Sequence, residues 1–454
     1  MKRLTIIAIA MLAGIMSFAQ NTSNQADLDL PKVYRDKNIV FCQLDDHTWI
    51  GSGNRVSSET IYILEGTDKA IVIDAGTSIP NLDKIVKKIT KKPATLLLTH
   101  MHGDHVGAAH LFNEIWVNIT DSSIVENFKK QKKYTGQINH ITNGHKFDLG
   151  DRIIEAYYTP GHTEGCTTFL EVGTERGFSG DAFGNTNLLV GTDFATLLNT
   201  CNESIRYFTE KGYTHFYNGH FWGDNLETIE RIKELRDISV AVLKGELDGE
   251  ESGNGMMGLN RVIRKGELRV NYSDRNIEKE RFNYAFKAVA AEDFDENFFN
   301  LVAKDFTVIT AGEQPNSMVA SWGGIGIMFN KPVTWCFLRA NRYTLEKIKE
   351  TGTYTMCYFP EQYKGDIMQF GIKSGRNTDK MAQTKLTQME TPDGYPAYKE
   401  AKIIIECKLI AAPTVSKDEF YTEEGKEFLQ GGYDEAKDWH KLVYGEITNI
   451  YVKN

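Results

Sequence analysis

The pattern of apolar positions changes character twice along the chain. Residues 4–16 form one short apolar run, behind Lys2 and Arg3 and ahead of Ser17-Phe18-Ala19. A basic start, an apolar stretch of about a dozen residues and small residues before a cleavage point mark an export signal, and the run is shorter than the roughly 20 residues that span a bilayer. Residues 1–19 are expected to be removed, so that the mature chain begins at Gln20. It is then periplasmic or secreted, with no stable membrane anchor.

From Val33 to Ser273 strand patterns alternate with helix patterns. Residues 59–64 and 69–73 are β-rich runs around Gly66-Thr67-Asp68, which predicts a hairpin. Leu82, Ile85, Val86 and Ile89 recur at helical spacing, and residues 94–99 form another short apolar run. Leu226, Ile229 and Leu235 predict a later helix with Asp224 or Asn225 as its cap. Such alternation is an α/β arrangement, whose sites collect on loops at strand ends. Residues 245–257 read as a loop, 267–272 as a strand and 274–281 as a charged linker. The pattern then turns β-rich, with strands over 306–310, 333–338, 353–358 and 402–409 and one helix over 344–349. Two domains are expected, 30–273 and 282–454.

Composition adds little: 41% hydrophobic and 25% charged residues describe an ordinary globular chain. The net charge of −9 disfavours non-specific nucleic-acid binding and leaves a small-molecule substrate as the expectation. The six cysteines, Cys42, Cys166, Cys201, Cys336, Cys357 and Cys407, fall three in each half and form no C-x-x-C pair. Complete pairing within each half is impossible, so buried or free thiols are expected, although export permits disulfides.

Candidate chemistry concentrates in Thr99-His100-Met101-His102-Gly103-Asp104-His105, with three of the eleven histidines within six residues at a strand end. Imidazole and carboxylate are the usual ligands of zinc and its neighbours, and H-x-H-x-D-H offers enough for two adjacent ions. Further donors follow in order: Pro160-Gly161-His162, then Ser179-Gly180-Asp181 after a strand starting near Thr167, then Asn218-Gly219-His220. Each has a glycine directly before the donor, where backbone must approach closely.

On these motifs residues 33–273 resemble the metallo-β-lactamase superfamily. The resemblance implies an αβ/βα sandwich with a dinuclear metal site along one edge. It assigns His100, His102 and His162 to one metal, Asp104, His105 and His220 to the other, and Asp181 as the bridge. Asp74 matches the family's buried structural aspartate, a support for ligands. Two divalent ions are implied, zinc with iron or manganese as alternatives, sharing a hydroxide that attacks a carbonyl or phosphoryl centre. Asp104 is the expected orienter or proton carrier. His110, His140 and His145 match no role. The bridging Asp181 resembles the glyoxalase II, lactonase and phosphodiesterase branches rather than the true β-lactamases. His102 stands where the flavin-linked di-iron branch has Glu.

In the second half, Asn316-Ser317-Met318-Val319-Ala320-Ser321-Trp322-Gly323-Gly324, the loop Arg339-Ala340-Asn341-Arg342-Tyr343-Thr344, Ser374-Gly375-Arg376, Asp438-Trp439-His440 and Tyr444-Gly445-Glu446 occur in that order. Hydroxyls, amides and guanidiniums leading into glycines and a helix suit a phosphate. Residues 282–452 resemble flavin reductase-like proteins, an FMN-binding split β-barrel family. The resemblance implies that Ser317, Ala320, Ser321 and Trp322 line the flavin, that Arg339, Asn341, Arg342 and Thr344 lie near its phosphate, and that Ser374 and Arg376 close the site. It also implies a homodimer.

The leading expectation is an exported dinuclear metal-dependent hydrolase of an ester, lactone, thioester or phosphoester, with an appended FMN-binding domain. The alternative is a flavin-linked oxidoreductase in which FMN delivers electrons to a di-iron centre. A binding protein with a decayed site is disfavoured, because all seven donor positions are filled.

Overall fold

Strands 60–65 and 70–73 are apolar on both faces because both faces are covered. Ile61 and Ile63 point into one core, with Leu82, Ile85, Val86 and Phe128. Tyr62 and Leu64 point into another, with Ile154, Phe169 and Phe178. The computed structural model describes residue 26 and residues 28–454, except 56–57, 185, 254, 306, 417–418 and 431–438. The expected signal, 1–19, lies outside the described residues. Two compact units divide at residues 280 and 281.

In the first unit eight strands lie in sequence order in one sheet, from Lys32–Arg35 to Gln137–Ile141. The first five pair antiparallel, whereas Ala70–Ile73, Ala94–Leu97, Glu114–Asn118 and Gln137–Ile141 are parallel neighbours. A second sheet runs in the order Glu227–Thr228, His215–Asn218, Arg176–Gly180, Thr167–Glu171, Ile153–Tyr158, Lys146–Asp148. The core around Tyr62 and Phe178 draws on both sheets, and helix Leu82–Ile89 covers the outer face of the first. That is an αβ/βα sandwich. A third, four-stranded sheet pairs Asn187–Leu189 with Leu268–Tyr272 and then Arg261–Lys265 and Glu250–Glu251, so strand 268–272 belongs to this unit.

Two local expectations need correction, and the expected linker has secondary structure. The segment from Thr167 is two strands, Thr167–Glu171 and Arg176–Gly180, forming a hairpin. The late helix is Ile229–Leu243, capped by the Thr228 hydroxyl, because Glu227 and Thr228 are held in a ladder with His215 and Phe216. The Asn225 side chain is engaged instead by the Trp222 amide and the His220 carbonyl. Residues 274–281, expected as linker, form the turn Asp274–Asn276 and the start of helix Ile277–Ala285.

The second unit is built on the strand path Asn316–Ala320, Thr307–Ala311, Thr353–Tyr358, Ile403–Ala411, His440–Lys453, Lys331–Arg339, Gly323–Met328, with Phe286–Val289 paired to His440–Lys453. No ladder joins the two ends of this path among the described residues. Strand His440–Lys453 pairs with three others and escapes sequence reading because apolar and polar residues mix irregularly along it. All six cysteines are buried free thiols. No described helix is long and apolar enough to cross a membrane.

Candidate metal centre

The candidate donors follow strand ends along one edge of the first unit, on loops except for Asp104 and His105, which lie in the one-turn helix Gly103–Val106. His100, His102, Asp104 and His105 follow Ala94–Leu97; His162 follows Ile153–Tyr158; Asp181 follows Arg176–Gly180; His220 follows His215–Asn218. Glycine lets these loops converge. Gly180 adopts φ +54°, and a Cβ on Gly219 would meet Asp181 Oδ1 at 2.2 Å and His105 Cε1 at 2.6 Å. Three sets of donors result, His100/His102/His162, His100/His105/Asp181 and Asp104/His105/His220, each with its atoms within 4.8 Å of one another.

The spacing within the cluster is short. His162 Nε2 lies 2.8 Å from His102 Nδ1. Asp181 lies 3.5 Å from His105 Nε2, 3.7 Å from His162 Nε2 and 3.4 Å from His220 Nε2, so its carboxylate sits among three imidazoles of different loops. Asp104 Oδ2 is 3.8 Å from His105 Nε2 and 3.5 Å from His220 Nε2.

The outward nitrogens are tied down, which fixes each ring. His105 Nδ1 meets Asp74 Oδ2 at 2.8 Å, His162 Nδ1 meets the Leu189 carbonyl at 2.8 Å, and His100 Nδ1 meets Thr99 Oγ1 at 3.1 Å. The inward His100 Nε2, His105 Nε2 and Asp181 Oδ1 are buried without a hydrogen-bond partner among the described residues. Buried polar atoms left open in this way are costly unless something fills the space between them. The chemistry of the donors, imidazole nitrogen and carboxylate oxygen, fits divalent zinc or a neighbouring ion.

Electrostatics agree with that fit. Burial, and then the neighbouring rings, hold His100 well below the usual imidazole range; burial and His162 bring His102 down to about 4; burial lowers His162 as well. These three rings are therefore neutral near pH 7, the form that donates a lone pair. Burial opposes charge on His105 too, but Asp181, Asp104 and Asp74 together raise it well above its ordinary value. Positive charge at this position is favoured. Asp181 is held well below the usual carboxylate range, because His220 and His105 outweigh its burial.

Sequence reasoning missed three supports of the cluster. Thr99 donates its backbone N–H and its hydroxyl to Asp74, each at 2.8 Å, and its position directly before the motif was the available signal. The Leu189 carbonyl and the Tyr62 hydroxyl, which donates to the Asn218 carbonyl, have no sequence signal. His110 and His140 are exposed, and His145 packs against Trp116 and Phe147.

In the second unit, Arg342 stands at the cap of helix Tyr343–Thr351, where no side chain caps the first turn. Asn316 donates to the Thr344 hydroxyl at 2.6 Å in that turn. Burial, and then the charge of Arg342, bring Lys380 down to about 8. Arg342 and Lys380, the latter held by the carbonyls of Ser317 and Phe370, put two positive charges near the start of this helix, a setting that suits an anion such as the phosphate of FMN. Trp322, 43% exposed, offers a ring face next to His440 and Phe337. Ala320 ends its strand buried, Ser321 is exposed, and Arg339 and Asn341 flank the turn into the helix. Ser317 and Arg376 are already engaged: the Ser317 hydroxyl bonds Thr310 and Tyr398, and Arg376 pairs with Glu346. Ser374 accepts from the Arg376 amide. Asp438 lies outside the described residues.

Residues 54–237 match the metallo-beta-lactamase superfamily, and residues 299–454 match the flavin reductase like domain. A Bacillus velezensis protein named as a probable polyketide biosynthesis zinc-dependent hydrolase is 27% identical over 250 residues, 53% of this chain and 99% of that one. A bovine mitochondrial persulfide dioxygenase is 25% identical over 238 residues, 50% of this chain and 82% of that one. A hydroxyacylglutathione hydrolase of Francisella philomiragia is 28% identical over 168 residues, 37% of this chain and 64% of that one. The chain is thus an enzyme that joins a metallo-beta-lactamase superfamily domain to a flavin reductase like domain.

Proposed function

We propose that the first unit holds two divalent metal ions and hydrolyses a small ester, lactone, thioester or phosphoester, and that the second unit binds FMN. The observation that carries the first part is the convergence of seven donors around buried, open acceptor atoms. His100, His102 and His162 would hold one ion, Asp104, His105 and His220 the other, with Asp181 between them. When bound, such a pair supplies Lewis acidity towards a carbonyl or phosphoryl oxygen and acidifies a water. Asp104, the most exposed of the cluster's carboxylates at 22%, would orient the attacking water and take its released proton, and that exposure supports the assignment. Asp74 and Thr99 are positioning residues, which keep His105 and His100 in the tautomer that turns Nε2 inward. In the second unit Arg342, Thr344 and Trp322 would hold the flavin phosphate and ring.

The relatives named as hydrolases support this reading, and hydroxyacylglutathione, in one of those names, is a thioester. Chelation followed by restoration tests it. Stripping the mature protein with a chelator is expected to abolish thioester and ester hydrolysis, and added Zn2+ to restore it. Hydrolysis that survives a metal-free preparation contradicts the proposal.

A further inference from the structure

The helices that cover the outer face of the first sheet are basic, in a chain that is acidic overall. Helix Leu82–Ile89 joins the parallel strands Ala70–Ile73 and Ala94–Leu97, and helix Ser122–Lys132 joins Glu114–Asn118 and Gln137–Ile141. Crossovers of one hand, between strands that follow one another in order, fall on the same side of a sheet. Leu82, Ile85 and Val86 of the first helix and Val125 and Phe128 of the second accordingly enter one core. Away from that core the first helix carries Lys84, Lys87 and Lys88, and Lys91 and Lys92 follow its end. The second carries Lys129, Lys130 and Lys132, with Lys133 at its C-terminal cap. Against these nine lysines, residues 82–92 and 122–133 hold two acids, Asp83 and Glu126, although acids outnumber bases 61 to 52 in the whole chain.

The other long helices of the unit are balanced. Helix Phe194–Lys211 pairs Arg206 with Glu203 and Glu210, and helix Ile229–Leu243 pairs Lys233 with Glu230 and Arg231 with Glu234. On the basic face Lys129 alone forms a salt bridge among the described residues, to Glu126 at 3.2 Å. Lys84 stands at helical spacing from Lys87 and Lys88, and Lys129 from Lys132, an arrangement of like charges that costs a helix stability. A helix dipole favours cations in the last turn, but it does not account for the near absence of acids along the whole face. An anionic surface laid against the face relieves that repulsion.

Every base in these two segments is lysine. Arginine forks onto a fixed carboxylate or phosphate, whereas lysine is a compact charge on a flexible stem and suits anions that are free to rearrange, as lipid headgroups are. Ile119 and Ile124, both exposed, stand at the start of the second helix, where they can touch the apolar boundary beneath such headgroups. We propose that this face docks the protein reversibly on an anionic lipid surface, its lysines meeting phosphodiester headgroups. The contact does not depend on the reaction at the metal centre.

Vesicle sedimentation tests it, on protein that begins at Gln20 so that residues 1–19 make no lipid contact of their own. Phosphatidylcholine vesicles containing phosphatidylglycerol are expected to carry the protein down at low salt and to release it as salt rises, while pure phosphatidylcholine vesicles leave it in solution. Lys84→Gln, Lys87→Gln and Lys91→Gln combined, all at exposed positions, are expected to weaken binding by about 100-fold, the loss that three lysines near an anionic surface bring. Arg206→Gln, Lys233→Gln and Arg236→Gln combined remove the same charge from the balanced helices and are expected to leave binding close to wild type. Equal weakening by the two triple variants, or no sedimentation with phosphatidylglycerol at low salt, overturns the proposal. Binding to soluble polyphosphate with none to the vesicles also overturns it, and assigns the face to a different polyanion.

Discussion

Asp181→Asn is expected to lower the rate of hydrolysis by about a thousandfold, equivalent to roughly 4 kcal/mol of transition-state stabilisation. It is also expected to reduce bound metal below two ions per chain. The substitution keeps the side chain's shape and removes only its charge. That charge lies between 3.4 and 3.7 Å from three imidazole nitrogens contributed by three different loops, and no other carboxylate contacts all three. Without it, the two proposed cations would lose the one side-chain anion that touches the imidazoles of both sets. Steady-state kinetics together with elemental analysis of the dialysed variant provide the check. Full turnover with two ions retained would show that Asp181 bridges nothing.

Asp74→Ala should damage the protein more than its distance from the reacting groups suggests. Asp74 sits at φ +62°, a left-handed conformation that aspartate tolerates better than most residues. Its carboxylate accepts three hydrogen bonds, from the Thr99 amide, the Thr99 hydroxyl and His105 Nδ1, each 2.8 Å long. Alanine would leave those buried donors unpaired, at a cost of about 3–5 kcal/mol in stability. It would also free the His105 ring, which predicts a 10-fold to 100-fold loss in metal affinity, on the order seen for residues that orient ligands. Asp74→Asn preserves the shape and one acceptor and should fall between wild type and alanine in both respects. Denaturant midpoints of the metal-free proteins measure the first effect, and competition with a chelator measures the second. An alanine variant as stable as the wild type would refute the structural role.

Much of this architecture is legible in the sequence where burial imposes a period. Helix Leu82–Ile89 and strand Thr353–Tyr358 fall where their apolar spacing predicts. The spacing works because Leu82, Ile85 and Val86 must share a face to reach one core. The candidate donors are legible for a different reason: H-x-H-x-D-H and the three glycine-preceded donors are local in sequence, although they meet only in the fold. The Thr228 cap is not legible, since Asp224 and Asn225 are equally good capping residues and only the ladder from His215 and Phe216 moves the helix start. Strand His440–Lys453 is hidden because each stretch of it faces a different neighbour, so no single alternation runs its length. In the second unit the phosphate-seeking corner lacks any signal for Lys380, which reaches it from a distant turn to donate to the carbonyls of Ser317 and Phe370.

A pair of metal ions held by these seven side chains is the proposal on which the chemistry of the first unit rests. Anomalous scattering from crystals of the protein, recorded on either side of the zinc and iron absorption edges, tests it most directly. Two zinc peaks about 3.5–4 Å apart are predicted, one against His100, His102 and His162 and the other against Asp104, His105 and His220, with Asp181 touching both. A single peak, or two iron peaks with little zinc, would contradict the hydrolase account, and the iron pair would move the chemistry towards electron transfer.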